Sequence, residues 1–348
     1  MKRHKQLYES VCSFENLYAA AVKAMKGKRG KRPGAGFYAE MEDEIITLQK
    51  QLLDGTYCHG GYHYFEIHEP KQRTVAAAEF RDRVVHHAVI RVIEPLFERR
   101  FIEDSYACRV NKGTHAGMKR AAHYARRFDY ALKCDIRKYF AHIDHEILLY
   151  LFAKVIGDKQ LLDLLQHVIG SHRDGWRMVV PKGGLPLFDG QLASRGLPIG
   201  NLTSQFSANV YLNPLDHFVK HDLRCKGYVR YMDDFLLFSN DKHQLRDWGD
   251  AVREIVNGLR LKIHPDKYRL LRCDCGVDFC GFVVFGNGRI RVRRSTARRF
   301  HRRYQKNLEA VNNCLGDAAS LSQSVAAWVG HVKHAQSWNL RKAVLCGS

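Results

Sequence analysis

The sequence predicts a mixed α+β fold, and three observations carry that prediction. Short apolar strands and amphipathic helical stretches alternate along the chain without the regular βαβ spacing of a doubly wound sheet. Two apolar runs within 226–241 meet at an acidic pair, the pattern of an antiparallel hairpin. The last stretch, 294–348, keeps a helical pattern throughout and is strongly basic at its start. With 348 residues, 45% of them hydrophobic, and only 8 prolines, the chain can bury a sizeable core without long disordered tracts.

Residues 7–26 place Leu17, Ala20, Ala21, Ala24 and Met25 at helical spacing and predict one amphipathic helix. The basic stretch 26–36 holds glycines and Pro33, so it predicts a loop, either solvated or serving as a backbone-contacting arm. A second helix is expected over 37–53, stopping at Gly55, then a strand over 62–70 ending at Pro70. Residues 80–98 return to helical spacing. In the middle third, 130–136 is a short apolar strand, while 138–152 and 161–172 are helical. Residues 196–223 open on a glycine-containing turn and become a long helix. A further helix is expected over about 242–259, then strands over 261–271 and 278–292 with a turn at Gly286-Asn287-Gly288.

The net charge of +20 is the strongest bulk signal, and a chain this basic normally meets a polyanion, most often nucleic acid. No stretch approaches the roughly 18 apolar residues that cross a bilayer, so no membrane partner is expected. The N-terminus has no apolar core of signal-peptide length, which argues against export. Of the ten cysteines, Cys12, Cys58, Cys108, Cys134, Cys225, Cys314 and Cys346 are scattered and are expected to be reduced and buried. Cys273, Cys275 and Cys280 cluster, but they lack the paired spacing and fourth ligand of a structural zinc site.

The chemistry concentrates in the stretch 228–238. Apolar residues flank Asp233 and Asp234 on both sides, so the expectation is a hairpin whose tight turn carries both carboxylates. Adjacent anions raise each other's proton affinity unless a cation offsets them. Asp is also simply a good turn residue. Against that plainer reading stands a second apolar strand ending at Asp135. Two such strands side by side would converge three carboxylates, the arrangement that holds two hard divalent cations about 3.5–4 Å apart for phosphoryl chemistry. Magnesium suits such carboxylate shells, with Mn²⁺ as a substitute. The acids alone do not name the reaction, since nucleases use them too.

Tyr231-Met232-Asp233-Asp234 resembles the YxDD box of reverse transcriptases. Asp135-Ile136-Arg137-Lys138-Tyr139-Phe140, followed by Ile143-Asp144-His145, resembles that family's first aspartate motif, and residues 196–205 resemble the motif between the two. Three motifs in this order are far more specific than one four-letter box. The resemblance implies a right-hand polymerase with an antiparallel palm sheet and a helical thumb. It divides the chain into N-terminal helices and fingers (1–95), first palm part (96–144), helical insertion (145–195), second palm part with the hairpin (196–290) and thumb (291–348). It implies that Asp135, Asp233 and Asp234 are catalytic, with the Ile136 carbonyl completing one shell of two Mg²⁺ ions. Phe140 takes the position that excludes a ribose 2′-hydroxyl, which points to deoxynucleotide substrates. Glu69-Pro70-Lys71-Gln72-Arg73 and the stretch from Arg81 resemble the fingers motifs, with Arg73, and less strongly Lys71, on the incoming triphosphate. Lys267 resembles the lysine that protonates pyrophosphate, although an exposed structural lysine fits as well. Phe279-Cys280-Gly281-Phe282 resembles the primer-grip turn.

The middle motif departs from the commonest QGxxxSP form: Ile199 stands in place of Gln, Gly200 is kept, and Gln205 stands in place of Pro. This pattern resembles the reverse transcriptases of diversity-generating retroelements, as do Phe14-Glu15-Asn16-Leu17, Tyr106–Arg109, Lys112–Gly117 and the tail 327–340. That resemblance implies a dedicated template RNA, errors at template adenines, mutagenic retrohoming and a basic oligomeric accessory variability protein as partner. It also implies a cytoplasmic protein of a prokaryote or phage. Arg294, Arg298, Arg299, Arg302 and Arg303 recur along one helical segment with few acids to balance them, as expected for a thumb helix on an RNA–DNA hybrid. No RNase H, HNH or GIY-YIG pattern is seen, so a nick or primer is expected to come from elsewhere. Two rivals share the core: a phage-defence reverse transcriptase copying its own noncoding RNA, and a non-catalytic maturase-like RNA-binding protein, which need not keep the three acids.

Overall fold

The computed structural model describes residues 3–27, 32–68, 72–172 and 195–346, with residues 32–35 described by backbone alone. Two helices, α1 (Tyr8–Cys12) and α2 (Phe14–Met25), stand where one was expected. Ser13 breaks them: its backbone is extended (φ −62°, ψ 143°), and its side-chain oxygen accepts the Asn16 N–H as the N-cap of a new helix. The expected loop before residue 37 is instead α3 (Arg32–Ala39), with Pro33 in the first turn, where a missing N–H is tolerated. α4 (Met41–Leu53) follows, then β1 (Tyr62–Ile67), β2 (Arg73–Ala78) and α5 (Phe80–Glu98). α6 (Thr114–Ala125) precedes β3 (Tyr130–Asp135).

The helical pattern over 138–152 resolves into α7 (Tyr139–His142) and α8 (His145–Ala153). Asp144 separates them, its carboxylate accepting the Glu146 and Ile147 N–H groups as an N-cap. α9 (Lys159–Gly170) and α10 (Leu202–His217) follow, and α10 runs on into a π-helical turn, Phe218–Asp222. The acidic hairpin is β4 (Gly227–Tyr231) and β5 (Asp234–Ser239), and α11 spans Lys242–Gly258. The strand expected over 261–271 shrinks to β6 (Arg269–Arg272), because Pro265 opens a 3₁₀ turn, Pro265–Lys267, before it. A meander, β7 (Val277–Phe279), β8 (Phe282–Val284) and β9 (Ile290–Val292), leads to the helices α12 (Arg294–Asn312), α13 (Ala318–Val332) and α14 (Trp338–Cys346).

The chain packs as two compact units. The first joins Met1–Ile102, Arg137–Asp216 and Ile255–Lys262. In it α2 packs along α5, and the Asn16 side chain tethers them by donating to the Ala88 carbonyl at 3.1 Å. β1 and β2 form an antiparallel hairpin. The Tyr139 hydroxyl donates to the Ala208 carbonyl at 2.5 Å and pins α7 to α10.

The second unit joins Glu103–Ile136, His217–Glu254 and Ile263–Ser348. Its four-stranded antiparallel sheet has the order β4-β5-β3-β6, with β7-β8-β9 as a separate three-stranded sheet. Met118, Ala121 and Ala122 of α6 pack into one core with Val229, Leu236, Phe238, Phe279 and Phe282. A smaller core gathers Phe300, Trp328, Val332 and Val344, with the Phe300 and Trp328 rings stacked at 4.2 Å. The cysteine expectation holds in part. Cys12, Cys134 and Cys225 are buried, but Cys58, Cys108, Cys314 and Cys346 are exposed, because they sit in turns or at a helix end, not on core-facing positions. Among the described residues, no helix is long and apolar enough to cross a membrane.

Candidate active site

The three aspartates come together within the second unit, on neighbouring strands. β3 and β5 pair antiparallel with Asp135 directly opposite Asp234. The Ile136 N–H then donates to the Asp233 carbonyl at 3.1 Å, so the chain leaving β3 is tied to the turn of the hairpin. One expectation is corrected: the turn does not carry both acids. Tyr231 pairs with Asp234, which leaves Met232 and Asp233 as the two turn residues and makes Asp234 the first residue of β5. The side-chain period of two along a strand then sets the directions of Asp234 and Phe235 apart. Met232 has φ 58°, a backbone region that favours glycine at the first position of such a turn. The Tyr231 ring is anchored beside it, its hydroxyl accepting from Thr114 Oγ1 at 3.1 Å.

Two ammonium groups face the acids. Lys267 Nζ lies 2.5 Å from Asp135 Oδ2, so this partly exposed lysine is paired with the carboxylate cluster. Lys133 Nζ lies 3.4 Å from Asp234 Oδ2 and donates to the Asp278 carbonyl at 2.7 Å. Asp278 in turn pairs with Arg293, at the start of α12. Burial pushes the Asp234 carboxyl up to about 7; Lys133 opposes this, and the charges of Asp135 and Asp233 add to it. Among the described residues, the buried Asp234 Oδ1 has no hydrogen-bond partner.

An orphaned buried carboxylate oxygen, hard oxygen donors only, and two cations already drawn to the cluster together fit divalent metal ions. Among the described residues, no group of three or more His, Cys, Asp or Glu side chains is arranged to hold a metal ion by itself. Mg²⁺ ordinarily takes one or two carboxylates and completes its shell with water and substrate phosphates. The Ile136 carbonyl follows directly on Asp135 in the same unit.

Of the residues expected around a nucleotide, Arg73, Phe140, Ile199, Gly200 and Gln205 lie in the first unit and Lys267 in the second. Phe140 of α7 and Ile199 line one cavity of about 190 Å³, with Tyr64, Thr74, Ala76 and Arg195. The walls are tied by backbone: Leu197 N–H donates to the Phe140 carbonyl at 2.8 Å, and Ala76 N–H to the Ile199 carbonyl at 2.9 Å. Gly200 has φ 118°, and a Cβ there would stand 2.6 Å from Val75 Cγ1, so only glycine lets this loop lie against β2. The buried Asn201 side chain seals the contact, donating to the Ala76 carbonyl at 2.9 Å and accepting from the Ala78 N–H at 3.2 Å. Arg73 opens β2 and is exposed, and Gln205 sits half-buried on α10; neither lines the cavity. Lys71, with Glu69 and Pro70, lies outside the described residues.

The remaining expectations separate. Gly281 (φ 85°) and Cys280 (φ 51°) form a two-residue turn between β7 and β8, as a hairpin of that length requires. Phe279, expected to touch nucleic acid, is instead fully buried in the core under that turn. Its position on the inward face of a short strand decides this. On α12, Ala297 and Phe300 face inward while Arg294, Arg298, Arg302 and Arg303 are exposed and Arg299 is half-buried. Arg294, Arg298 and Arg302, four apart, share one outer stripe. Sequence reasoning missed Lys133 and Arg230, although a lone cation inside an apolar strand was a visible signal for each.

Three acids on an antiparallel sheet fit phosphoryl-transfer chemistry without choosing between a polymerase and a nuclease; comparison with known proteins makes that choice. The profile described as "Reverse transcriptase (RNA-dependent DNA polymerase)" matches residues 67–284. The chain belongs to the reverse transcriptase family and is an RNA-directed DNA polymerase. Among similar proteins, "Protein YkfC" of Escherichia coli is 24% identical over 327 residues, covering 80% of this chain and 82% of that protein. "Group II intron-encoded protein LtrA" of Lactococcus lactis subsp. cremoris is 25% identical over 211 residues, 60% of this chain but 33% of that protein. "Nuclear intron maturase 1, mitochondrial" of Arabidopsis thaliana is 28% identical over 172 residues, 48% of this chain and 24% of that one. The chain thus spans a third or less of the length of the last two.

Proposed function

We propose that this protein makes cDNA from a dedicated template RNA in the manner of diversity-generating retroelements, with Asp135, Asp233 and Asp234 as its catalytic carboxylates. The pairing of Asp135 opposite Asp234, with Asp233 on the adjoining turn, is the observation that carries the reading. The acids and the Ile136 carbonyl would hold two Mg²⁺ ions, which activate the primer 3′-hydroxyl and stabilise charge on the triphosphate. Lys267 would deliver a proton toward a departing pyrophosphate, a role that its contact with Asp135 supports. The right-hand layout of fingers, palm and thumb is part of the same reading. In it the stripe Arg294, Arg298, Arg302 on α12, with Arg299 and Arg303, tracks the backbone of the RNA–DNA hybrid. Arg73 and Lys71 meet the dNTP phosphates, Gln205 and Gly200 shape the floor beside them, and Gly281 lets the primer strand approach. A basic oligomeric accessory protein is the expected partner, in the cytoplasm of a prokaryote or of a phage-infected cell.

Phe140 and Ile199 supply the tests. On a defined RNA template with a DNA primer, wild type should extend with deoxynucleotides and discriminate strongly against ribonucleotides. Phe140→Ala opens room at the 2′ position and should lower that discrimination by about 10–100-fold, the scale of one lost steric contact of 1–3 kcal/mol. Unchanged discrimination would remove Phe140 from the sugar pocket. Isoleucine at 199 offers an incoming nucleotide only van der Waals contact, where glutamine would offer hydrogen bonds. Ile199→Gln should therefore lower misincorporation opposite template adenine, read by sequencing the cDNA. An unchanged error spectrum sinks the assignment of infidelity to this residue. A second reading, work on an intron-type RNA, is favoured by the names of the relatives that are intron-encoded or intron maturases. The Ile199 and Gln205 pattern favours the first.

A further inference from the structure

Among the described residues, Arg230 is the largest fully buried side chain, a guanidinium with no exposure inside an apolar strand. Its neighbours explain why it is there. Nη1 donates to the Met232 carbonyl at 3.0 Å, and Nη2 to Ser105 Oγ at 3.0 Å. Its own backbone is clamped as well: its N–H donates to the Asp104 carbonyl, and its carbonyl accepts the Tyr106 N–H, both at 2.9 Å. The segment that supplies these partners is itself fixed. Asp104 accepts from Arg120 Nε at 2.7 Å, from Lys220 Nζ at 2.8 Å and from the Tyr124 hydroxyl at 2.9 Å. One end of the guanidinium fork is therefore anchored in a rigid frame, and the other end holds the turn.

The turn needs holding. Met232 is half-buried with φ 58°, a conformation that an L side chain rarely adopts, and its carbonyl takes the Arg230 guanidinium as a donor. Asp233 follows it directly, and Asp234 begins the next strand. A two-residue turn that relaxed would move both carboxylates relative to Asp135. A guanidinium presents donors in a fixed planar fork and can bridge two acceptors at once, which a lysine cannot do with the same rigidity.

We propose that Arg230 is a positioning residue that sets the Met232–Asp233 turn and so tunes the cation affinity of the carboxylate cluster. This rests on the reading of Asp135, Asp233 and Asp234 as metal ligands. Residues one step behind a metal shell typically change affinity or activity by about 10–100-fold when removed. The test uses wild type, Arg230→Met and Arg230→Lys on one RNA template with a DNA primer. It measures the Mg²⁺ concentration at half-maximal extension, Mn²⁺ binding by electron paramagnetic resonance, and affinity for primer–template. In Arg230→Met the half-saturating Mg²⁺ should rise by roughly 10–100-fold and Mn²⁺ binding should weaken in step, with primer–template affinity unchanged. Arg230→Lys, which keeps the charge but loses the planar fork, should show a smaller shift in the same direction. A folded Arg230→Met with wild-type Mg²⁺ and Mn²⁺ behaviour overturns the proposal. If Arg230→Met does not fold, wild-type metal behaviour in Arg230→Lys overturns it. Asp233→Asn run alongside separates the two layers. Full activity in Asp233→Asn defeats the ligand reading itself, whereas loss there with normal metal behaviour in the Arg230 variants defeats only the role of Arg230.

Discussion

Asp233→Asn should reduce primer extension on an RNA template by on the order of 10³-fold or more, with the protein still folded. The estimate follows from what a divalent ion supplies in phosphoryl transfer, several kcal/mol of charge stabilisation, at 1.36 kcal/mol per tenfold in rate. Asparagine preserves shape and the two-residue turn, so the Ile136 N–H can still donate to the carbonyl of residue 233. What is lost is the negative charge. Two controls make the result specific. Circular dichroism and thermal unfolding should match wild type, since removing one charge from a crowded set of three acids relieves repulsion. Glu146→Gln, an exposed carboxylate of the first unit paired with Arg260, should extend normally. Activity of Asp233→Asn within tenfold of wild type would remove this residue from the chemistry.

Phe235→Ala should give the largest loss of stability among single substitutions near the site, about 3–5 kcal/mol. Phe235 is fully buried on β5, opposite Cys134 of β3 and Arg230 of β4, in the middle of the four-stranded sheet. Its ring lies 6.2 Å from that of Tyr228. Truncation leaves a cavity on a face where neighbours on both sides are held by strand ladders and cannot collapse into it. The midpoint of thermal unfolding should fall by on the order of 10 °C. Phe235→Leu, which refills most of the volume, should recover more than half of the loss. An unfolding midpoint within 2 °C or so of wild type in Phe235→Ala would mean that this sheet is not part of the cooperative core.

Comparing the two substitutions separates charge from packing at positions two residues apart. Asp233→Asn removes activity and leaves stability; Phe235→Ala removes stability first. The sheet makes this possible because successive side chains on β5 point to opposite faces, so Asp234 can reach the acid cluster while Phe235 feeds the core.

Much of the architecture was legible because it rests on short-range periodicity. The helix at Phe80–Glu98 and the strands of the acidic hairpin fall where the spacing of apolar residues put them. Errors arose where one polar residue interrupts a periodic run. Ser13 and Asp144 each read as a tolerated polar position in a helix, yet each caps a new one, because a side-chain oxygen offered to a free N–H outweighs continuing the helix. Pro33 and its neighbouring glycines read as a loop, but at the first turn of a helix proline is pre-formed for the role.

The site divides in the same way. By itself the sequence determined that three acids end or join apolar strands, that Phe140 and Ile199 belong to motifs flanking them, and that the C-terminal stretch 294–348 opens on a basic helical face. Those facts are local and survive without coordinates. Only the tertiary structure decided that Asp135 stands opposite Asp234, that Lys133 and Lys267 come against them, and that Phe279 is buried beneath its turn. It also decided that Arg230 reaches past its own strand to the Met232 carbonyl. The reason is physical. Strand periodicity tells which way a side chain points but not which strand lies beside it, and register between strands distant in sequence is settled by the packing of the whole sheet. The three acids and Lys267 were therefore named from the sequence, while the contacts that Lys133 and Arg230 make around them were not.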